Sequence, residues 1–232
     1  MFGYLSVETL MSVEVGPFEN APWDDLLGYV GRGECTPIIG AGACYPYLPL
    51  AAELAYKWSE RYNYPLTDSY DLSKIAQFMA IDHSDDTFPK PVIAHEFQDK
   101  AQPDFFKEDE PHGILADLNL PLYITTNYDY FMEEALESCG KKPVSEFCRW
   151  NETLYKTANE SGIPSIFDRD KEKYEPAIGL KYRPRTEEYK PTKYEPLVYH
   201  LHGIIEIPHS LLLTENDYLD FMLRLQETDN PI

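Results

Sequence analysis

The spacing of apolar positions changes along the chain, and the changes outline helices alternating with short strands. Trp23, Leu26, Leu27 and Val30 recur at helical spacing behind Pro22, and Gly31-Arg32-Gly33 closes that helix. Cys35-Thr36-Pro37-Ile38-Ile39 reads as a short strand, with Pro37 tolerable only near its start because proline cannot donate to a ladder. Leu50, Leu54 and Trp58 predict a helix over 50–58, and Leu72, Ile75, Ala76 and Met79 predict a second inside 70–82. Residues 84–91 are acidic and proline-flanked, which suits a loop, and 92–100 read as a further helix. The stretch 103–118 is helical in parts, broken by Pro111-His112-Gly113.

Leu122 to Thr126 is a strand that runs straight into the polar turn Asn127-Tyr128-Asp129. Phe131, Met132, Ala135, Leu136 and Cys139 form the face of the next helix, which Gly140 ends. Phe147–Trp150, Pro196–Leu201 and Leu211–Leu213 read as strands. Thr214, with Asp217 three residues on, caps a last helix to Leu225. Strands separated by helices predict an α/β fold, Rossmann-like and doubly wound: a mostly parallel sheet with helices on both faces. Residues 1–21 read as an extension, 22–232 as one domain, and 151–196 as a long excursion rich in Tyr, Pro, Lys and Glu. Another strand is expected after the last helix, so the chain reads as a fragment of a longer protein.

Composition narrows the function classes. The chain has 232 residues, 43% of them hydrophobic, enough for one α/β domain with a sizeable core. Its formal net charge of −20 disfavours nucleic acid and anionic membrane as direct partners, because phosphate contacts need a basic surface. The four cysteines, Cys35, Cys44, Cys139 and Cys148, show no C-x-x-C spacing, so neither a structural zinc module nor a disulfide scaffold is expected. The N-terminus lacks a basic region and carries Glu8 and Glu14, unlike a signal peptide, and no apolar run is long enough to span a bilayer. A cytoplasmic protein is expected.

Three motifs carry candidate chemistry. Gly40-Ala41-Gly42 follows a strand, where glycines let the backbone approach a diphosphate; it also suits a plain tight turn, and the dinucleotide fingerprint is incomplete at Tyr45. Thr125-Thr126-Asn127-Tyr128-Asp129 contains good helix caps, yet capping does not require so many polar side chains at one strand end. His202 ends an apolar strand before Gly203 and is either a hydrogen-bonded core histidine or a base near neutral pH. His200 shares its strand face in this reading, and both histidines could ligate a metal, but a third ligand at sensible spacing is not evident.

In this order the motifs resemble the catalytic domain of the sirtuin superfamily, and more closely the sirtuin-like domains of bacterial antiviral defence systems. Ile39-Gly40-Ala41-Gly42-Ala43 resembles the NAD-binding loop, Thr126-Asn127-Tyr128-Asp129 the Asn-x-Asp motif, and Leu201-His202-Gly203 the His-Gly motif. Leu213-Thr214-Glu215-Asn216-Asp217-Tyr218 resembles a later segment of the defence-type domains. The resemblance implies an NAD+ glycohydrolase that cleaves the nicotinamide–ribose bond and depletes NAD in anti-phage defence. It implies that Gly40, Ala41, Gly42 and Ala43 hold the diphosphate and that Thr126 and Gly203 belong to the cofactor site. Asn127 would position the ribose and the attacking water, Asp129 the carboxamide, and His202 would act as the base. Cys44 stands near where the family often has serine, and the four-cysteine zinc module of the deacylases is missing, which puts their acyl-lysine groove in doubt. No metal is expected. A homo-oligomer, a second defence protein or a C-terminal sensor module is the expected partner. Two alternatives stay beside this one: a sensor or scaffold that binds NAD or ADP-ribose without turnover, and an NAD-dependent protein deacylase.

Overall fold

The computed structural model describes residues 22–97, 100–151, 154, 165–168, 173–176 and 189–226. The expected extension 1–21, most of the excursion 151–196 and the end of the chain lie outside these residues. The chain order is α1 (Trp23–Gly31), β1 (Ile38–Ile39), a 3-10 turn (Ala41–Cys44), α2 (Ala51–Arg61), α3 (Leu72–Asp82), α4 (Pro89–Glu96), α5 (Pro111–Asp117), β2 (Leu122–Thr125) and α6 (Phe131–Ser138). It continues through β3 (Val144–Phe147), β4 (Ser165–Asp168), β5 (Lys173–Pro176), β6 (Leu197–His200), a second 3-10 turn (Pro208–Ser210) and α7 (Glu215–Leu225).

Four strands form one parallel sheet in the order β1-β2-β6-β3, while β4 and β5 pair as a separate antiparallel ribbon. This is the α/β, Rossmann-like fold the patterning predicts. In register, Ile39 lies beside Thr125, Thr125 beside His200, and His200 beside Phe147. All four strands therefore end on one line, and the residues that follow emerge together at the carboxyl edge. That edge is where open parallel sheets bind ligands.

Strand alternation decides which side chains go under the helices. Ile39, Tyr123 and Val198 face α5 and α6 and pack with Ala116, Leu120, Met132, Ala135 and Leu136. The opposite face is less covered among the described residues; Ile38 is 73% exposed there. Helices α2, α3 and α4 build a second core around Trp58, Ile75, Met79 and Ile93, which reaches Leu211 and Leu213 and touches Tyr128 and Ile205 beyond the strand ends. The helical cluster thus stands next to the carboxyl edge of the sheet.

Several boundaries differ from the sequence reading. Pro111-His112-Gly113 does not break a helix but starts α5: Glu110 is the N-cap, its carboxylate accepts from Gly113 N, and Pro111 occupies the first turn, where no N–H is needed. Pro89 likewise opens α4 inside the expected loop. The strand expected at Phe147–Trp150 lies at Val144–Phe147, because Val144 and Ser145 find partners in Leu197 and Val198. Leu211–Leu213 is buried but joins no sheet. Strand β6 ends at His200, so His202 belongs to the turn and does not share a strand face with His200. The last helix is as read: Thr214 Oγ1 accepts from Asp217 N at 3.1 Å and Asp217 Oδ2 accepts from Thr214 N at 2.9 Å.

Candidate active site

A cavity of about 530 Å³ lies between the carboxyl edge of the sheet and the helical cluster. Its apolar wall includes Leu48, Leu54, Leu72, Ile93, Phe97 and Leu213, and its polar end is Thr126, Asn127, Asp129 and His202, with Asp71 and Ser73 opposite. Ala41 and Cys44 bring the first strand end to it, and Tyr218 closes it from α7. The structure therefore brings together Ala41, Thr126, Asn127, Asp129 and His202 in one concavity. An apolar wall with a few convergent polar groups suits a small organic ligand.

Asn127 is 9% exposed and held on every side. Its backbone N–H donates to Thr125 Oγ1 at 3.0 Å. Its side-chain Nδ2 donates to Gly40 O at 3.1 Å and to Cys44 Sγ at 3.0 Å. Both amide hydrogens are committed, so the group Asn127 offers the cavity is the acceptor Oδ1. Cys44 links the wall further: Sγ donates to Asp129 Oδ2 at 3.2 Å. Burial, and after it the charge of Asp129, push the Cys44 thiol far above its ordinary value, so in the protein alone it is a hydrogen-bonding thiol and not a nucleophile.

Asp129 Oδ1 accepts from Phe131 N at 3.0 Å, so one of its oxygens does cap the start of α6. Burial raises its carboxyl above the usual range, opposed by that N–H, by Cys44 and by the nearby His112 and His200 rings. His202 stands with its ring against the edges of Tyr218, at 5.7 Å between centroids, and Phe221, at 6.5 Å. Burial lowers its pKa, so the ring is neutral at physiological pH and able to accept a proton or a hydrogen bond.

The glycines separate into two kinds. At Gly203 the backbone has φ +89° and an added Cβ would sit 2.2 Å from Ser210 O, so the protein itself requires glycine there, and Gly203 does not line the cavity. At Gly42 an added Cβ would meet nothing within 4 Å, and at Gly40 only Thr126 Oγ1 at 3.8 Å. Neither has a positive φ. Among the described residues nothing demands glycine at these two positions, and their bare backbone is open to close approach. Gly40, Gly42 and Ala43 stand in or beside the 3-10 turn, whose leading N–H groups have no partner inside it. Among the described residues no lysine or arginine lines the cavity, so from these an anionic ligand would be met by such N–H groups.

Several interactions of this neighbourhood escape sequence reasoning. His200 is fully buried, with Nδ1 3.1 Å from Asn127 O and Nε2 2.8 Å from Glu133 Oε1; Ser145 Oγ donates to the same carboxylate oxygen at 2.7 Å. Burial alone would lower the His200 pKa, but Glu133 holds it above the ordinary value. Tyr128 OH donates to Leu212 O and Leu212 N to His202 O at 3.0 Å, tying the two polar turns together. Glu110 and His112, far from any motif, stand behind Cys44.

Residues 121–232 match the family model described as a SIR2-like domain. The match contains Thr126, Asn127, Asp129, His202 and Gly203; the glycine loop at 40–43 precedes it in sequence and joins it through the sheet. No curated protein matches the chain at a significant level. A SIR2-like domain points to NAD-related chemistry. Residues 121–232 are thus similar to a SIR2-like domain, and they supply three of the four strands of the parallel sheet.

Proposed function

We propose that this protein is an NAD+ glycohydrolase, which cleaves the nicotinamide–ribose bond to give nicotinamide and ADP-ribose. One observation carries the reading: Asn127 Oδ1 and the neutral His202 ring belong to the same cavity as Ala41 of the glycine turn and Asp129. Cleavage of an N-glycosidic bond passes through an oxocarbenium-like transition state, as in glycoside hydrolysis. The protein must hold the ribose, accept protons from its hydroxyls or from water, and exclude bulk solvent. Asn127 Oδ1 orients the water or a ribose hydroxyl, and His202 accepts the proton. Asp129 meets the carboxamide, and the N–H groups of the turn after Gly40 hold the diphosphate beside Thr126. Nicotinamide leaves as a neutral molecule, so no strong general acid is required.

By its resemblance to defence-type domains, the activity would serve NAD depletion in anti-phage defence. It would belong to a cytoplasmic protein that works as a homo-oligomer or with a second defence protein or sensor module. Among the described residues no helix is long and apolar enough to cross a membrane. Purified protein incubated with NAD tests the reading: nicotinamide and ADP-ribose should appear, and Asn127→Ala or His202→Ala should each reduce turnover by at least about 100-fold. Nucleotide binding without turnover in the activated protein would favour a sensor instead.

A further inference from the structure

Behind the polar end of the cavity lies a second constellation, which shares only Asp129 with the roles proposed above. One ligand atom each from Cys44, His112 and Asp129 lies within 4.8 Å of the other two. Cys44 Sγ is 3.2 Å from Asp129 Oδ2 and 3.9 Å from His112 Nε2. Cys44 and His112 are 2% and 1% exposed. The three come from three separate parts of the fold: the turn after β1, the first turn of α5 and the loop after β2.

Two further observations go beyond proximity. His112 is oriented from behind, its Nδ1 2.7 Å from Glu110 Oε1, and Glu110 is itself fixed as the cap of α5. A carboxylate on one ring nitrogen is the arrangement that sets the tautomer and aims the other nitrogen's lone pair at a metal. Cys44 Sγ also receives Asn127 Nδ2–H at 3.0 Å, a donor that suits a sulfur carrying negative charge. Cys44 and Asp129 line the cavity and His112 does not, so an ion held by the three would border the cavity.

We propose that Cys44, His112 and Asp129 form a binding site for a single zinc-class cation, with the fourth coordination position facing the cavity. Zinc bond lengths place tetrahedral neighbours about 3.3–3.8 Å apart, so the widest pair of ligand atoms needs to close by about 1.5 Å at most. Thiolate and imidazole together select zinc or a similar borderline ion over magnesium or calcium. On binding, the Cys44 S–H proton leaves to solvent, and ligation replaces its hydrogen bond to Asp129. The site stands whether or not NAD is cleaved. Because Asp129 belongs to both, zinc and a nucleotide ligand compete.

The test uses the full chain, stripped with a chelator, and reads binding rather than turnover. Calorimetry with Zn²⁺ should show one equivalent bound. Co²⁺ should give a thiolate charge-transfer band in the near ultraviolet. Cys44→Ser should lose the band, and Glu110→Gln should weaken Zn²⁺ binding about 10–100-fold while leaving all three ligands in place. Zn²⁺ should raise the melting temperature of the wild type and not that of Cys44→Ser, with circular dichroism confirming that each variant is folded. Absence of stoichiometric Zn²⁺ binding by the wild type overturns the proposal. So does an unchanged cobalt band in Cys44→Ser, which would place the metal on another thiol such as the exposed Cys139.

Discussion

Asn127 is fixed by its neighbours before any ligand arrives, and the fixing residue was not a motif residue. Cys44 accepts the Asn127 amide and donates to Asp129, so it aligns both polar residues. Cys44→Ser should keep both bonds and retain most of the activity, whereas Cys44→Ala should leave buried groups unpaired and cost about 1–3 kcal/mol in urea unfolding, with activity reduced. His202 gives a pH prediction. Its pKa is lowered by burial, so the neutral base persists below 6.5, and activity should fall only as pH drops through that lowered value. An acid limb above 6.5 that disappears in His202→Ala would contradict this assignment. Asn127, Asp129 and His202 could be singled out because each lies within a few residues of the end of an apolar run. Cys44 and His112 were not, because their partners stand 85 and 68 positions away in sequence and meet only through the fold.

Elements were legible where local chemistry fixes them. The Thr214–Asp217 capping box marks the start of α7 from sequence alone. Where local signals cut both ways the reading failed: Pro111 and Gly113 look like breakers, and only the carboxylate of Glu110 turns them into a helix start. Leu211–Leu213 shows that burial does not specify a ladder, since Leu211 and Leu213 join the helical cluster and Leu212 packs with Cys148, Trp150 and Phe221. The wall that α7 supplies rests on an ion pair no pattern announces. Lys90 Nζ lies 2.9 Å from Asp217 Oδ1, with side chains only 6% and 11% exposed, and 5.2 Å from the Trp150 ring. Removing one partner of a buried pair leaves an uncompensated charge. Lys90→Ala should destabilise the protein by about 3–5 kcal/mol in chemical denaturation and raise KM, because Tyr218 sits one residue beyond Asp217 on the cavity wall. An unchanged unfolding midpoint would show that the pair is replaceable.

At the scale of the molecule, one alignment accounts for the site: four parallel strands end in register, and their following loops meet a helical cluster. The order of strand and helix was readable from apolar periodicity. The register was not, since it depends on pairing between segments far apart in the chain. The buried His200–Glu133 pair sits directly beneath this edge and links stability to pH. The His200 pKa is raised on folding, so the pair's contribution is complete below 6.5 and is lost as pH rises through the folded-state value. Urea midpoints should decline over that range in the wild type, and Glu133→Gln should flatten the decline while lowering the midpoint throughout. The central claim is that the strand-end cavity cleaves NAD, and its most direct test is nicotinamide release by the activated wild type beside Asn127→Ala. Release by the wild type and loss of at least about 100-fold in the variant are expected, with circular dichroism showing the variant still folded. Equal release by both proteins would contradict it.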